Sequence, residues 1–129
     1  LDSAEARKEF SIVKHLDGSM PLARGTMSEI RRVLENIFSN AIYAIPREGG
    51  TISVSTEFME PDIVKVVISD NGAGMSAETL ERALEAFYTT KEEGSGIGLS
   101  LSRQLIQVHN GSIIVKSKVN EGTEVLVIL

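Results

Sequence analysis

Three short stretches carry residue types that suit nucleotide chemistry. The first is Asp70-Asn71-Gly72-Ala73-Gly74-Met75, which follows the apolar run Ile63-Val64-Lys65-Val66-Val67-Ile68. A carboxylate at the end of a buried strand is costly unless it is paired. The glycines after it let backbone approach a ligand closely. Together they suit the floor of a pocket for a flat heterocycle, with Asp70 accepting a hydrogen bond from a ring amino group. A plain Asn-Gly turn is the alternative. The second stretch is Gly94-Ser95-Gly96-Ile97-Gly98-Leu99, at the start of a helical pattern. A glycine-rich loop opening a helix presents free N–H groups to an anion, so phosphates would sit there. An ordinary turning loop gives the same pattern. The third is the pair Asn36 and Asn40, four residues apart on a helix. Their amide oxygens suit Mg²⁺, a hard cation that keeps several waters; two solvent-facing amides are the competing account.

The chain that must position these groups has 129 residues, enough for one domain with a real core. Apolar residues make up 42% and charged residues 24%, the balance of a soluble globular chain. A net charge of −5 with the two signs interspersed argues against nucleic acid as a partner. The absence of cysteine excludes disulfides and thiolate metal sites and fits a reducing, cytoplasmic setting. No apolar run reaches membrane-spanning length. The first residue is Leu1, and residues 1–9 read as the leading segment of a longer parent chain.

Phe10 to Leu16 alternates weakly and predicts an edge strand, with His15 in it as a packed or solvated side chain. Thr26 and Glu29 form a capping box, and Ile30, Val33, Leu34, Ile37, Phe38, Ala41 and Ile45 follow at helical spacing up to Pro46. Asn36 and Asn40 fall on one line at the margin of that stripe, with Tyr43 near it. Ile52, Val54, Thr56 and Phe58 alternate as a second strand, and the run ending at Asp70 is a third. Ser76 caps a short helix over Ala77 to about Ala86. Phe87 to Gly96 reads as a lid. A third helix spans about Ile97 to His109, ended by Asn110-Gly111. A hairpin around Asn120-Glu121-Gly122 closes the chain. This order does not alternate strictly, so the expected fold is α+β: a two-layer sandwich of one mixed sheet of about five strands with three helices on one face.

At this point the motifs resemble a known family. Glu35-Asn36-Ile37-Phe38-Ser39-Asn40-Ala41 looks like the N box and Asp70-Asn71-Gly72-Ala73-Gly74 like the first glycine box. Phe87-Tyr88-Thr89-Thr90-Lys91 resembles the F box, Gly94-Ser95-Gly96-Ile97-Gly98-Leu99 the second glycine box, and Gly122-Thr123 the motif of the last strand. In that order they are similar to the catalytic, ATP-binding domain of two-component sensor histidine kinases, a Bergerat fold of the gyrase, chaperone, kinase and mismatch-repair ATPase superfamily. The resemblance implies that Asp70 accepts from the adenine amino group, with Gly72, Gly74 and Met75 beside it and Thr123 behind. It implies that Asn40 ligates Mg²⁺ and that Asn36 supports metal and phosphates. Gly94, Ser95, Gly96, Ile97, Gly98 and Leu99 would front the phosphates, and Thr90 and Lys91 would lie in or near the lid, Lys91 as a phosphate contact.

Two departures stand out. Where many such kinases carry a Lys or Arg followed by an aromatic, this chain has Tyr43 and Ala44, so Tyr43 borders the nucleotide and Lys91 or Arg103 replaces the cation. The lid is short, as in nitrogen-regulation-type sensor kinases. The implied activity is a protein-histidine kinase. ATP with Mg²⁺ donates its γ-phosphoryl group to a His on a separate dimerisation domain, for onward use by a response regulator receiver domain. The domain alone would be monomeric and inactive in phosphotransfer, and the parent homodimeric. A superfamily ATPase or a serine-kinase anti-sigma factor is a second reading. Such relatives use a Glu as general base four residues before the metal Asn, and this chain has Asn36 there. A nucleotide-free interaction module is a third.

Overall fold

The computed structural model describes residues 10–15, 27–83 and 99–129. The described elements run β1 (Phe10–His15), α1 (Met27–Ala44), β2 (Gly50–Met59), β3 (Ile63–Asp70), α2 (Ala77–Ala83), α3 (Leu99–Val108), β4 (Ser112–Lys118) and β5 (Gly122–Ile128). They form one five-stranded sheet in the order β1-β2-β3-β5-β4. β1 lies at an edge and pairs parallel with β2; every other pair is antiparallel. The mixed α+β sandwich expected from the element order is therefore the fold found.

The core explains which residues sit where. α1 turns Val33, Ile37, Ala41 and Ile42 inward, and the sheet answers with Ile52, Val64, Val66, Ile68, Val125 and Val127. Ile106 of α3 fills the same layer and is fully buried. Burying an aliphatic side chain of this size stabilises by about 1.5–3 kcal/mol. This shared layer therefore fixes α1 and α3 against one face of the sheet. β3 was expected to be a buried strand, and its run is apolar at almost every position. Yet only Val64, Val66 and Ile68 are buried, while Ile63, Lys65 and Val67 take the face away from the helices.

The helix ends follow local chemistry. Ser76 caps α2, accepting from the Thr79 N–H at 3.1 Å. The described part of α2 stops at Ala83, and residues 84–98 lie outside the described residues. The lid, the F box and most of the second glycine box fall there, with Thr90, Lys91, Gly94, Ser95, Gly96, Ile97 and Gly98. The Thr26 half of the capping box is also outside. Asn110 takes a left-handed φ of 65°, and the Gly111 N–H donates to the Ile106 carbonyl at 2.9 Å, ending α3 where the sequence predicts.

Candidate functional site

The site forms where β3 ends. Asp70 is the last residue of that central strand, flanked by Ile52 on β2 and Thr123 on β5. Its side chain shares the helix-facing side with Ile68, so the carboxylate is half-buried at the end of the apolar core. The Gly72 N–H donates to Asp70 Oδ1 at 2.8 Å. Burial pushes the Asp70 carboxyl above the ordinary carboxylate range, and the N–H groups of Gly72 and Thr123 partly offset this.

Backbone contacts hold the loop after Asp70. The Ala73 N–H donates to the Ala44 carbonyl at the end of α1, 3.2 Å away, and the Ala73 carbonyl accepts from the Asn120 N–H at 2.7 Å. Asn71 clamps the loop to the start of β2: its Oδ1 accepts from the Thr51 N–H at 2.8 Å and its Nδ2 donates to the Gly49 carbonyl at 3.1 Å. The opposite wall is the β4–β5 hairpin. Gly122 has φ 85°, and a Cβ there would stand 2.0 Å from the Asp70 carbonyl. Only glycine lets the hairpin come this close. Ser117 joins hairpin to loop: its Oγ accepts from the Met75 N–H at 2.8 Å, donates to the Gly122 carbonyl at 3.0 Å and meets Thr123 Oγ1 at 2.8 Å. A cleft along β3, β5 and β4 at this end is lined by Ser69, Lys116 and Glu124 of the outward row as well as by Asp70, Ser117 and Thr123.

The asparagine pair divides. Asn40 is half-buried one turn before Ala44, the residue that touches the Asp70 loop. Asn36 does not lie on the open margin of the stripe. It is buried, and its Nδ2 donates to Oγ of the fully buried Ser102 on α3 at 3.1 Å. α3 covers this flank of α1, which is why an amide at the edge of the apolar stripe is buried and paired. Tyr43 is exposed on the last turn of α1, Arg103 is half-buried on α3, and Leu99 opens α3 half-buried. His109 serves packing: its Nε2 meets Glu29 Oε2 at 2.9 Å and ties the end of α3 to the first turn of α1. The structure thus brings Asp70, Gly72, Gly74, Met75 and Thr123 together, with Asn40 on the adjoining helix.

Sequence reasoning missed Ser117 and Ser102. Ser117 ends the inward row Ile113, Val115, Ser117, and a hydroxyl closing an apolar row is the signal that marks it. Ser102 lies among the polar positions of α3, with nothing local to set it apart.

Known proteins share this fold and much of this sequence. Residues 25–129 match the family described as histidine kinase-, DNA gyrase B-, and HSP90-like ATPase. Sporulation kinase E of Bacillus subtilis (strain 168) is 41% identical over 96 residues, which cover 74% of this chain and 13% of that protein. The sensor histidine kinase ZraS of Salmonella typhimurium is 39% identical over 93 residues, 72% of this chain and 20% of that one. The chain thus spans less than a third of the length of such relatives. Among solved structures, the catalytic domain of histidine kinase ThkA superposes with a TM-score of 0.79 at 27% identity, covering 93% of this chain and 78% of that one. Full-length ShkA, solved in complex with AMPPNP, shares the fold with a TM-score of 0.80 at 22% identity, covering 96% of this chain and 26% of that one. With its fold and its matched span in agreement, the chain belongs to the histidine kinase-, DNA gyrase B- and HSP90-like ATPases, as an ATP-binding domain of the sensor histidine kinase kind.

Proposed function

We propose that residues 1–129 form one catalytic domain of a longer protein, which binds Mg-ATP and delivers its γ-phosphoryl group to a His on a separate dimerisation domain. In that step the bond from the γ-phosphorus to the β–γ bridging oxygen breaks, a phosphorus–nitrogen bond to the imidazole forms, and ADP leaves. A response regulator receiver domain is the onward acceptor. The observation that carries the reading is the half-buried Asp70 carboxylate at the end of the central strand, fixed by the Gly72 N–H and paired across the sheet with Thr123. Adenine offers an amino group to such an acceptor and guanine an oxygen. The nucleotide complex of ShkA supports a nucleotide in this fold.

Mg²⁺ fits the donors present. Among the described residues no group of three or more His, Cys, Asp or Glu makes a metal cage. The half-buried amide of Asn40 offers a neutral oxygen, the kind of single ligand Mg²⁺ takes when phosphates and water complete its shell. Bound there, the metal would neutralise charge on the phosphates. Asn36, with its amide directed to Ser102, stiffens α1 behind Asn40 and offers no group able to take a proton from water. That disfavours a hydrolase. The phosphate cation is Lys91 or Arg103 in this reading, and the glycine-rich stretch up to Leu99 supplies N–H donors. Among the described residues no helix is long and apolar enough to cross a membrane.

Titration calorimetry with ADP tests this, with and without Mg²⁺ and with GDP as control. ADP binding without GDP binding supports the adenine pocket; no adenine-nucleotide binding overturns it. In the Asn40→Ala variant the gain in ADP affinity from Mg²⁺ is expected to shrink about tenfold, the effect of one lost ligand of about 1.4 kcal/mol. Its Mg²⁺-free affinity is expected to stay near wild type. An unchanged Mg²⁺ gain would remove Asn40 from the metal site.

A further inference from the structure

The geometry points to Ser117 as a positioning residue that sets purine selectivity by turning the Thr123 hydroxyl, so that it offers only lone pairs to the pocket. The inference rests on the nucleotide reading above and adds to it a residue outside the recognised motifs.

The protons available at Ser117 decide which group donates to which. Ser117 Oγ has one proton and two lone pairs. It has three polar neighbours: the Met75 N–H at 2.8 Å, the Gly122 carbonyl at 3.0 Å and Thr123 Oγ1 at 2.8 Å. The Met75 N–H occupies one lone pair. A carbonyl only accepts, so the contact to Gly122 takes the single Ser117 proton. The contact to Thr123 then needs a proton from Thr123, given to the second lone pair of Ser117. This assignment satisfies all three contacts. The reverse one, with Ser117 donating to Thr123, gives up the Gly122 contact and leaves a lone pair of Ser117 idle. Groups this close-packed favour the assignment that leaves nothing unmade.

The Thr123 proton is thereby spent away from the pocket. Thr123 and Asp70 are direct partners across β5 and β3, so their side chains stand on the same face about 5 Å apart. One is a carboxylate and the other a hydroxyl with only lone pairs to give. That edge of the pocket accepts and does not donate. It welcomes an exocyclic amino group and opposes a 6-oxo group, which would find two acceptors facing its own oxygen. Ser117 thus acts through Thr123 without touching the base.

The test is calorimetry on the full chain with ADP and IDP, whose bases exchange a 6-amino group for a 6-oxo group and a bare N1 for an N1–H. The wild type is expected to prefer ADP. In Ser117→Ala the Thr123 hydroxyl regains its proton and turns it to the 6-oxo group, so the ADP-to-IDP ratio is expected to fall about tenfold, mainly through tighter IDP binding. Adding Thr123→Val to Ser117→Ala is expected to restore the ratio, and Ser117→Thr, which keeps a hydroxyl, to preserve it. Equal weakening of both nucleotides in Ser117→Ala would make Ser117 a brace alone and overturn the proposal. Should circular dichroism show that Ser117→Ala does not fold, Ser117→Cys makes the same comparison with the volume kept. Wild-type binding of ADP with an unmoved ratio in the variants sinks this proposal alone. Absence of wild-type ADP binding sinks the nucleotide reading and the proposal with it.

Discussion

Asp70→Asn is expected to lose ADP affinity by about a hundredfold while melting at or above the wild-type temperature at neutral pH. The two effects have one origin. In the folded chain the Gly72 N–H needs an acceptor, and Asp70 Oδ1 is 2.8 Å away. An Asn in that place gives its carbonyl oxygen to Gly72, which leaves its NH₂ where the second carboxylate oxygen stood. The adenine amino group then meets a donor, and a charge-assisted hydrogen bond worth about 1.5–3 kcal/mol becomes a clash of protons. Stability moves the other way because the carboxylate is partly stripped of water. Burial raises the Asp70 carboxyl above its ordinary value, more than the N–H groups of Gly72 and Thr123 lower it. The folded chain therefore holds that proton more tightly than the unfolded one, and stability falls as pH rises from the ordinary carboxylate range through the raised value. Above that window the wild type carries the full penalty and the Asn variant carries none. Thermal melts at several pH values should show the advantage of the variant at neutral pH shrinking on acidification. An advantage constant with pH would mean that Asp70 is not the source. Nucleotide affinity in the wild type should fall as pH drops through the same window, since protonated Asp70 no longer accepts on both oxygens.

Gly74→Ala is expected to cost more than about 3 kcal/mol of folding stability, a large share of the roughly 5–15 kcal/mol that holds a domain of this size. The residue has φ 69°, and a Cβ there would lie 1.9 Å from the Lys118 carbonyl oxygen and 3.1 Å from that of Gly122. Both obstacles are backbone, held by the β4–β5 ladder, so neither can step aside. Gly49 supplies the control. Its φ is 77°, but nothing lies within 4 Å of a Cβ built there. Gly49→Ala therefore bears the conformational cost alone, about 1–2 kcal/mol. Chemical denaturation of both variants separates the terms. Equal losses would show that the hairpin yields and that the close approach is not what Gly74 is for.

How much of this was legible in the sequence depended on how local each signal was. The stripe Val33, Ile37, Ala41 names the buried side of α1, and alternation at Ile52, Val54 and Phe58 names the inward side of β2, because periodicity is written in neighbouring residues. Asp70 with its glycines was legible for the same reason. Asn36 was not: its line on the helix is the one predicted, but at Asn36 that line is covered by α3, where Ser102 lies sixty-six residues on. Ser117 was hidden in the same way, since its meaning lies in three partners from the Asp70 loop and the neighbouring strand. β3 shows a different limit. Its run, apolar at all but Lys65 up to Ile68, suggests two covered faces, whereas the described helices pack on one side of the sheet, and Val67 and Ile63 face the other.

The clamp formed by Asn71 also governs the chemical lifetime of the domain. An Asn-Gly step ages when the glycine nitrogen attacks the carboxamide carbon of the preceding side chain, closes a succinimide ring and expels ammonia. The ring needs the side chain to swing back over its own backbone and the glycine nitrogen to be unengaged. At Asn71 both conditions are blocked: the carboxamide is held at Oδ1 by Thr51 and at Nδ2 by Gly49, and the Gly72 N–H is given to Asp70. Hydrolysis of that ring would write a second carboxylate, or an extra backbone atom, beside the one on which adenine recognition rests. The same three bonds that shape the floor of the pocket therefore keep it from ageing, and peptide mapping of stored protein reads this directly.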